Sequence, residues 1–216
     1  MNAYIFPTFE CTLNCPRCYQ KGHRGQSMSW DTFCRVRQML NKIEPKEIVF
    51  TGGEPTMWPF LVDAIEVVYE IARVRVITNG FNCNIEDYGC ADCIQVSDYG
   101  GINRMDIYRL KKQGGRKVKI QTPIHWTWDR SVTSKLPGVC GCVGYSFAEQ
   151  KVWPCAMAAA LRTDNGLEIE RAIEFRIIEA QSQNLCKSCL VNRKNRQAPK
   201  PVFQFSIWEG KSYILG

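Results

Sequence analysis

The sequence has little histidine: His23 and His125 are the whole complement of 216 residues. That disfavours a histidine-rich zinc enzyme. No apolar run approaches the roughly 20 residues that span a bilayer, so no membrane partner is expected. The opening segment, Met1 to Pro7, lacks the basic and long apolar regions of a secretory signal, and a cytoplasmic location is the expectation. Internal repeats and low-complexity linkers are missing too. With 45% hydrophobic and 23% charged residues, the composition excludes a disordered chain, a collagen-like repeat and a coiled coil.

What is abundant is cysteine, with twelve residues. The chain is too long to need disulfide stapling, and in a reducing compartment such cysteines more often bind metal or do redox chemistry. The formal charge of +7 counts each of them as neutral, and metal-bound thiolates would lower it. Basic residues concentrate in 104–119 (Arg104, Arg109, Lys111, Lys112, Arg116, Lys117, Lys119) and in 187–200 (Lys187, Arg193, Lys194, Arg196, Lys200). Solvated faces explain such runs, and so does an anionic substrate or partner.

Short apolar runs alternate with amphipathic stretches over the first 120 residues. Strands are expected at Tyr4–Phe9, Ile48–Phe50, Val74–Ile77, Ile94–Ser97 and Val118–Gln121. Ser29 can cap a helix carrying Phe33, Val36, Leu40 and Ile43, with Pro45 beyond its end. Leu61, Ile65, Val68 and Ile71 mark a second helix, Ile107 and Leu110 a third. Such alternation implies an α/β fold with a mainly parallel sheet, whose function gathers at the carboxyl ends of the strands. Past Thr127 the alternation stops. Gly138–Cys155 reads as a hairpin, 166–182 as an amphipathic helix and 202–208 as a last strand. Domains of 1–127 and 128–216 are expected.

Cys11, Cys15 and Cys18 form a C-x₃-C-x₂-C run directly after the first strand. Three thiolates on one loop are one short of a closed tetrahedral site, so spacing alone leaves zinc and a [4Fe–4S] cluster with one open iron equally open. One β/α unit later stands Thr51-Gly52-Gly53-Glu54-Pro55. The pair of motifs resembles the radical S-adenosylmethionine (SAM) superfamily. That resemblance implies a partial (β/α) barrel of five to six parallel strands. It implies a catalytic [4Fe–4S] cluster on Cys11, Cys15 and Cys18, and SAM bound by Gly52, Gly53, Glu54 and Pro55. Thr78, Asn79, Ser97 and Asp98 fall at strand ends where the family places further SAM contacts. The residue before the third cysteine, commonly aromatic in the family, is Arg17 here, and Tyr19 is the nearby substitute.

Cys140, Cys142, Cys155 and the pair Cys186-x-x-Cys189 resemble the SPASM/twitch extension of the same superfamily. Five cysteines suit one auxiliary [4Fe–4S] cluster, with Cys142, Cys155, Cys186 and Cys189 as ligands and Cys140 the alternative to Cys142. A structural zinc site on the same residues is the competing reading. Cys83, Cys90 and Cys93 suggest buried thiols more than a third metal site, and Cys34 is expected in the core.

The resemblance implies a flavodoxin- or ferredoxin-type electron donor, reductive cleavage of SAM to a 5′-deoxyadenosyl radical, and hydrogen abstraction from substrate. An auxiliary cluster favours net oxidation, making the protein an oxidoreductase. Bond formation on a peptide or nucleotide is the alternative, and a non-enzymatic iron–sulfur or zinc module the remote one. The chain length favours a small molecule or nucleotide. Five strands precede the hairpin, so a sixth is expected near Leu136–Val143, or else a splayed, wide-mouthed barrel. Glu10, Asp98, Tyr99 and Arg104 lie near the mouth without assigned roles.

Overall fold

Ser29 turns its hydroxyl onto the amide of Thr32, 3.2 Å away, and that cap opens the first helix, α1 (Trp30–Ile43). The helix ends where Glu44 adopts a left-handed conformation, its N–H donating to Leu40 O at 3.0 Å. The structure, a computed structural model, describes residues 2–13, 15, 18, 25–99, 103–113, 115–121, 144–153, 167–169, 177–179, 204–208 and 211–215.

Five strands alternate with the helices: β1 (Asn2–Phe6), β2 (Glu47–Phe50), β3 (Arg73–Thr78), β4 (Cys93–Ser97) and β5 (Val118–Gln121). Between them lie α1, α2 (Leu61–Val68) and α3 (Arg104–Gln113). Strict alternation divides the sheet into two faces. Ala3, Ile5, Ile48, Phe50, Val74, Val76, Ile94 and Val96 are 0% exposed and share one core with Phe33, Val36 and Leu40 of α1 and Leu61, Ile65 and Val68 of α2. Each of the larger side chains contributes roughly 1.5–3 kcal/mol by leaving water. The other face carries Asn2, Tyr4, Glu47, Arg75, Gln95 and Lys119. There Arg75 pairs with Glu47 and donates to Gln95 Oε1 at 3.3 Å.

The sixth parallel strand exists and begins directly after the stretch near which it was expected. It is β6 (Gly144–Ala148), the first arm of the hairpin, and it runs beside β1 with Tyr4 opposite Ser146. The expected position, Leu136–Val143, lies outside the described residues. The hairpin returns as β7 (Lys151–Trp153), and β8 (Leu167–Glu168) follows, both antiparallel. The resulting eight-stranded sheet has the order β5-β4-β3-β2-β1-β6-β7-β8. This is the open, mostly parallel α/β sheet of a partial barrel, as the sequence led us to expect. Tyr145 and Phe147 complete the apolar face beside Ala3 and Ile5.

Three expectations fail. The helix over 166–182 is replaced, among the described residues, by β8 and by β9 (Ile177–Glu179). The apolar residues Leu167, Ile169, Ile173, Phe175 and Ile177 fall on alternate positions, and a period of two with β-branched side chains favours strand over helix. The strand at 202–208 is not the last. β10 (Gln204–Trp208) pairs with both β9 and a further strand, β11 (Lys211–Leu215), in a separate antiparallel sheet. Cys34 is also exposed rather than in the core, because it sits off the Phe33–Val36–Leu40 stripe of α1. The boundary placed near Thr127 lies outside the described residues.

Candidate active site

Past Phe6 the chain continues to Cys11 with a single bridge from Thr8 to Ser27, and the turn after β2 lies directly against it. Thr51 N–H donates to Ile5 O at 2.9 Å, Gly53 N–H to Thr8 O at 2.9 Å and Glu54 N–H to Glu10 O at 2.6 Å. This contact explains the two glycines. A Cβ on Gly52, whose φ is +136°, would stand 2.5 Å from Thr8 O. One on Gly53 would collide with Glu10 O and lie 2.7 Å from the carbonyl carbons of Phe9 and Glu10. The glycines thus seat the turn directly beside the residue preceding Cys11.

Glu54 is 0% exposed. Its Oε1 accepts from Thr78 Oγ1 at 2.6 Å, Thr56 Oγ1 at 2.9 Å and Thr56 N at 3.2 Å. Its Oε2 accepts from Asn79 N at 2.6 Å. The carboxylate therefore clamps the end of β3 to the turn after β2.

Burial pushes the Glu54 carboxyl up from 4.5 to about 7, against the opposing pull of the Thr78, Asn79 and Thr56 hydrogen bonds. The neutral acid also suits the network. Thr56 Oγ1 has one proton and two acceptors, Glu54 Oε1 and Phe81 O at 2.6 Å. A protonated Glu54 can donate to that hydroxyl and release its proton to Phe81 O. Because the folded value exceeds the unfolded one, the stabilisation is complete below pH 4.5 and is lost as pH rises through 7. Denaturant titrations should show about 3 kcal/mol lost between pH 4.5 and 8. Glu54→Gln should flatten that segment, and an unchanged slope in the variant would assign the effect elsewhere.

Asn79 links this clamp to the cysteine loop. Its Nδ2 reaches Cys11 Sγ at 3.7 Å and Thr12 Oγ1 at 3.4 Å. Leu13 N–H also points at Cys11 Sγ, at 3.4 Å. Cys15 is buried, and Cys11 and Cys18 are half-buried. Cys18 N–H closes a turn onto Cys15 O at 3.1 Å. Ser97 joins through Asn103, whose Nδ2 donates to Ser97 O at 2.7 Å and Asn79 O at 2.6 Å. Asp98 N–H is bonded to Gln121 O at 2.9 Å.

The structure thus brings Cys11, Gly52, Gly53, Glu54, Thr78, Asn79 and Ser97 together at the carboxyl edge of the sheet. Tyr19, Cys140, Cys142, Cys155, Cys186 and Cys189 lie outside the described residues. Asn103, Thr8 and Thr56 escaped the sequence reading. Asn103, directly before α3, reads as a helix cap, whereas its side chain turns back to the strand ends. The Tyr99 phenol is pushed up by burial first and by the nearby Cys15 next, while a hydrogen bond with Ser97 pulls it down and Cys11 adds a smaller push upward. Cys83, in the core, is pushed up to about 12 by burial.

The loop fits an iron–sulfur cluster. It offers three thiols, two of them partly open, with two N–H donors aimed at one sulfur, the chemistry that stabilises a thiolate ligand.

Residues 5–122 match the family model of the radical SAM superfamily. The chain belongs to that superfamily. Its members are enzymes that use SAM and a [4Fe–4S] cluster. Over 77 residues it is 30% identical to GTP 3′,8-cyclase of Psychromonas ingrahamii, covering 34% of this chain and 23% of that protein. It is 27% identical over 93 residues to 7,8-dihydro-6-hydroxymethylpterin dimethyltransferase of Methanocaldococcus jannaschii, covering 40% and 18%. The matches thus span less than a quarter of these curated relatives. The fold is shared with BtrN in complex with AdoMet and 2-DOIA, at a TM-score of 0.61 and 16% identity over 80% of each chain. Among the described residues no helix is long and apolar enough to cross a membrane.

Proposed function

We propose that this radical SAM protein oxidises its substrate, using a second, auxiliary [4Fe–4S] cluster as electron acceptor. The observation that carries the first half is the strand-edge assembly of Cys11 with Gly52–Glu54 and Asn79. Cys11, Cys15 and Cys18 hold the catalytic cluster, and Gly52, Gly53, Pro55, Thr78, Asn79, Ser97, Asp98 and Tyr19 surround SAM. Glu54 belongs to the same SAM-binding turn, and its carboxylate also fixes Thr78 and Asn79. The cluster supplies one electron, which cleaves SAM to methionine and a hydrogen-abstracting 5′-deoxyadenosyl radical.

The oxidative half rests on the cysteine pattern, with Cys142, Cys155, Cys186 and Cys189 as auxiliary ligands. The fold is shared with BtrN, which is seen with AdoMet and 2-DOIA, and that fold has room for SAM beside a small molecule. A donor of the flavodoxin or ferredoxin type supplies the electron, and the reaction removes two electrons from a small molecule. The relationship to GTP 3′,8-cyclase favours one second reading, a bond-forming reaction on a nucleotide.

Anaerobic iron and sulfide counts test the central step. The wild-type chain should hold about eight irons, falling to about four in Cys186→Ala/Cys189→Ala. A wild-type count near four, with zinc present, would make the tail structural and remove the electron acceptor from the proposal.

A further inference from the structure

The cysteine loop is not held by its own residues alone. We infer that Asn79 is a positioning residue that donates a hydrogen bond to the Cys11 sulfur, and that Asn103 holds it there, so that the pair sets the ease of reducing the cluster. The inference rests on the reading that Cys11 ligates an iron.

The orientation of both amides is fixed by their surroundings. Asn79 Oδ1 accepts from Phe81 N at 2.8 Å, so the oxygen is committed and Nδ2 must face Cys11 and Thr12. Its two hydrogens match the two acceptors, Cys11 Sγ at 3.7 Å and Thr12 Oγ1 at 3.4 Å. In Asn103, Oδ1 accepts from Tyr99 N at 3.2 Å. Its Nδ2 then serves the carbonyls of Asn79 and Ser97, at 2.6 and 2.7 Å. The backbone of Asn79 is thus gripped from two sides, by Glu54 at its N–H and by Asn103 at its C=O.

Asn79 is 5% exposed and Asn103 3%. Burying two primary amides is unfavourable unless their polar atoms are paired, and here they are. Bridging the ends of β3 and β4 accounts for Asn103 alone. It does not account for an amide donor aimed at a sulfur from the far end of the bridge. In a water-poor setting a fixed N–H dipole acts strongly on a nearby charge. A donor to a ligand sulfur stabilises added negative charge, so it favours the reduced cluster.

The test is a redox titration of the reconstituted full chain, followed by EPR on the signal that SAM perturbs. Asn79→Leu removes the donor at similar volume. At a fixed potential its ratio of reduced to oxidised cluster should fall about tenfold, about 59 mV for a one-electron couple. Asn103→Leu should shift it about threefold the same way, and the double variant should match Asn79→Leu alone, as expected for two residues acting in series. Asn79→Ser and Asn103→Ser, milder at a buried site, carry the same comparison if either leucine variant fails to fold. An unchanged ratio in the Asn79 variants, or additive shifts in the double variant, would overturn the inference. A Cys11→Ala protein with a full iron count would instead remove the ligand assignment beneath it.

Discussion

Gly53→Ala should destabilise the protein by about 4 kcal/mol and lower Tm by about 10 °C. The added methyl has no empty space to enter: its neighbours are the backbone of Phe9 and Glu10, which cannot rotate away like a side chain. The turn must separate from the extended segment, which breaks the hydrogen bonds from Gly53 N to Thr8 O and from Glu54 N to Glu10 O. Glu54 then moves with the turn, and its clamp on Thr78 and Asn79 loosens. Gly115→Ala is the control. Its φ of +48° strains any side chain, yet a Cβ there meets no atom within 4 Å, so about 1 kcal/mol is expected. Thermal melts of the two variants decide the matter: Gly53 has no positive φ, so a loss no larger than that of Gly115→Ala would mean that the neighbouring backbone yields to the added methyl.

The same position shows how far the sequence could be read. Gly52-Gly53-Glu54-Pro55 pointed to SAM because of the cysteine run before it. The structure adds a second requirement on the same residues, since the glycines admit a neighbouring backbone and the Glu54 carboxylate ties two strand ends together. No sequence pattern distinguishes a carboxylate that meets a ligand from one that clamps two strand ends. Periodicity served well for β1 to β5, where a local pattern of apolar residues decides which face is buried. It could not show that the hairpin arm Gly144–Ala148 becomes the neighbour of β1, a pairing more than 130 residues apart. Over 166–182 the helical and alternating patterns coincide, and the strands chosen depend on partners in other segments. Asn103 was missed for a related reason. An asparagine before a helix looks like a cap, and only tertiary contacts reveal the two carbonyls that its side chain serves.

The described cysteines fall into three kinds by position and burial, and alanine replacement should separate them. Alanine at Cys11, Cys15 or Cys18 should lower SAM cleavage by at least about a thousandfold, equivalent to roughly 4 kcal/mol in the barrier. Two thiolates cannot retain a cluster whose remaining corner must stay open for SAM, so these variants should also lose about four irons. Their folding should change little. Cys11 and Cys18 are half-buried, and the buried Cys15 gives up one sulfur, about 1 kcal/mol. Cys83→Ala should behave in the opposite way. That thiol is 0% exposed inside the core and held protonated by burial, so its loss costs about 1–2 kcal/mol of stability and no iron. Cys34→Ala, on the exposed side of α1, should alter neither quantity. Iron content, methionine release with dithionite and melting curves on the five variants give the full comparison. Turnover surviving in Cys15→Ala would remove the cluster from this loop, and iron lost from Cys83→Ala would place a ligand in what is otherwise the apolar core.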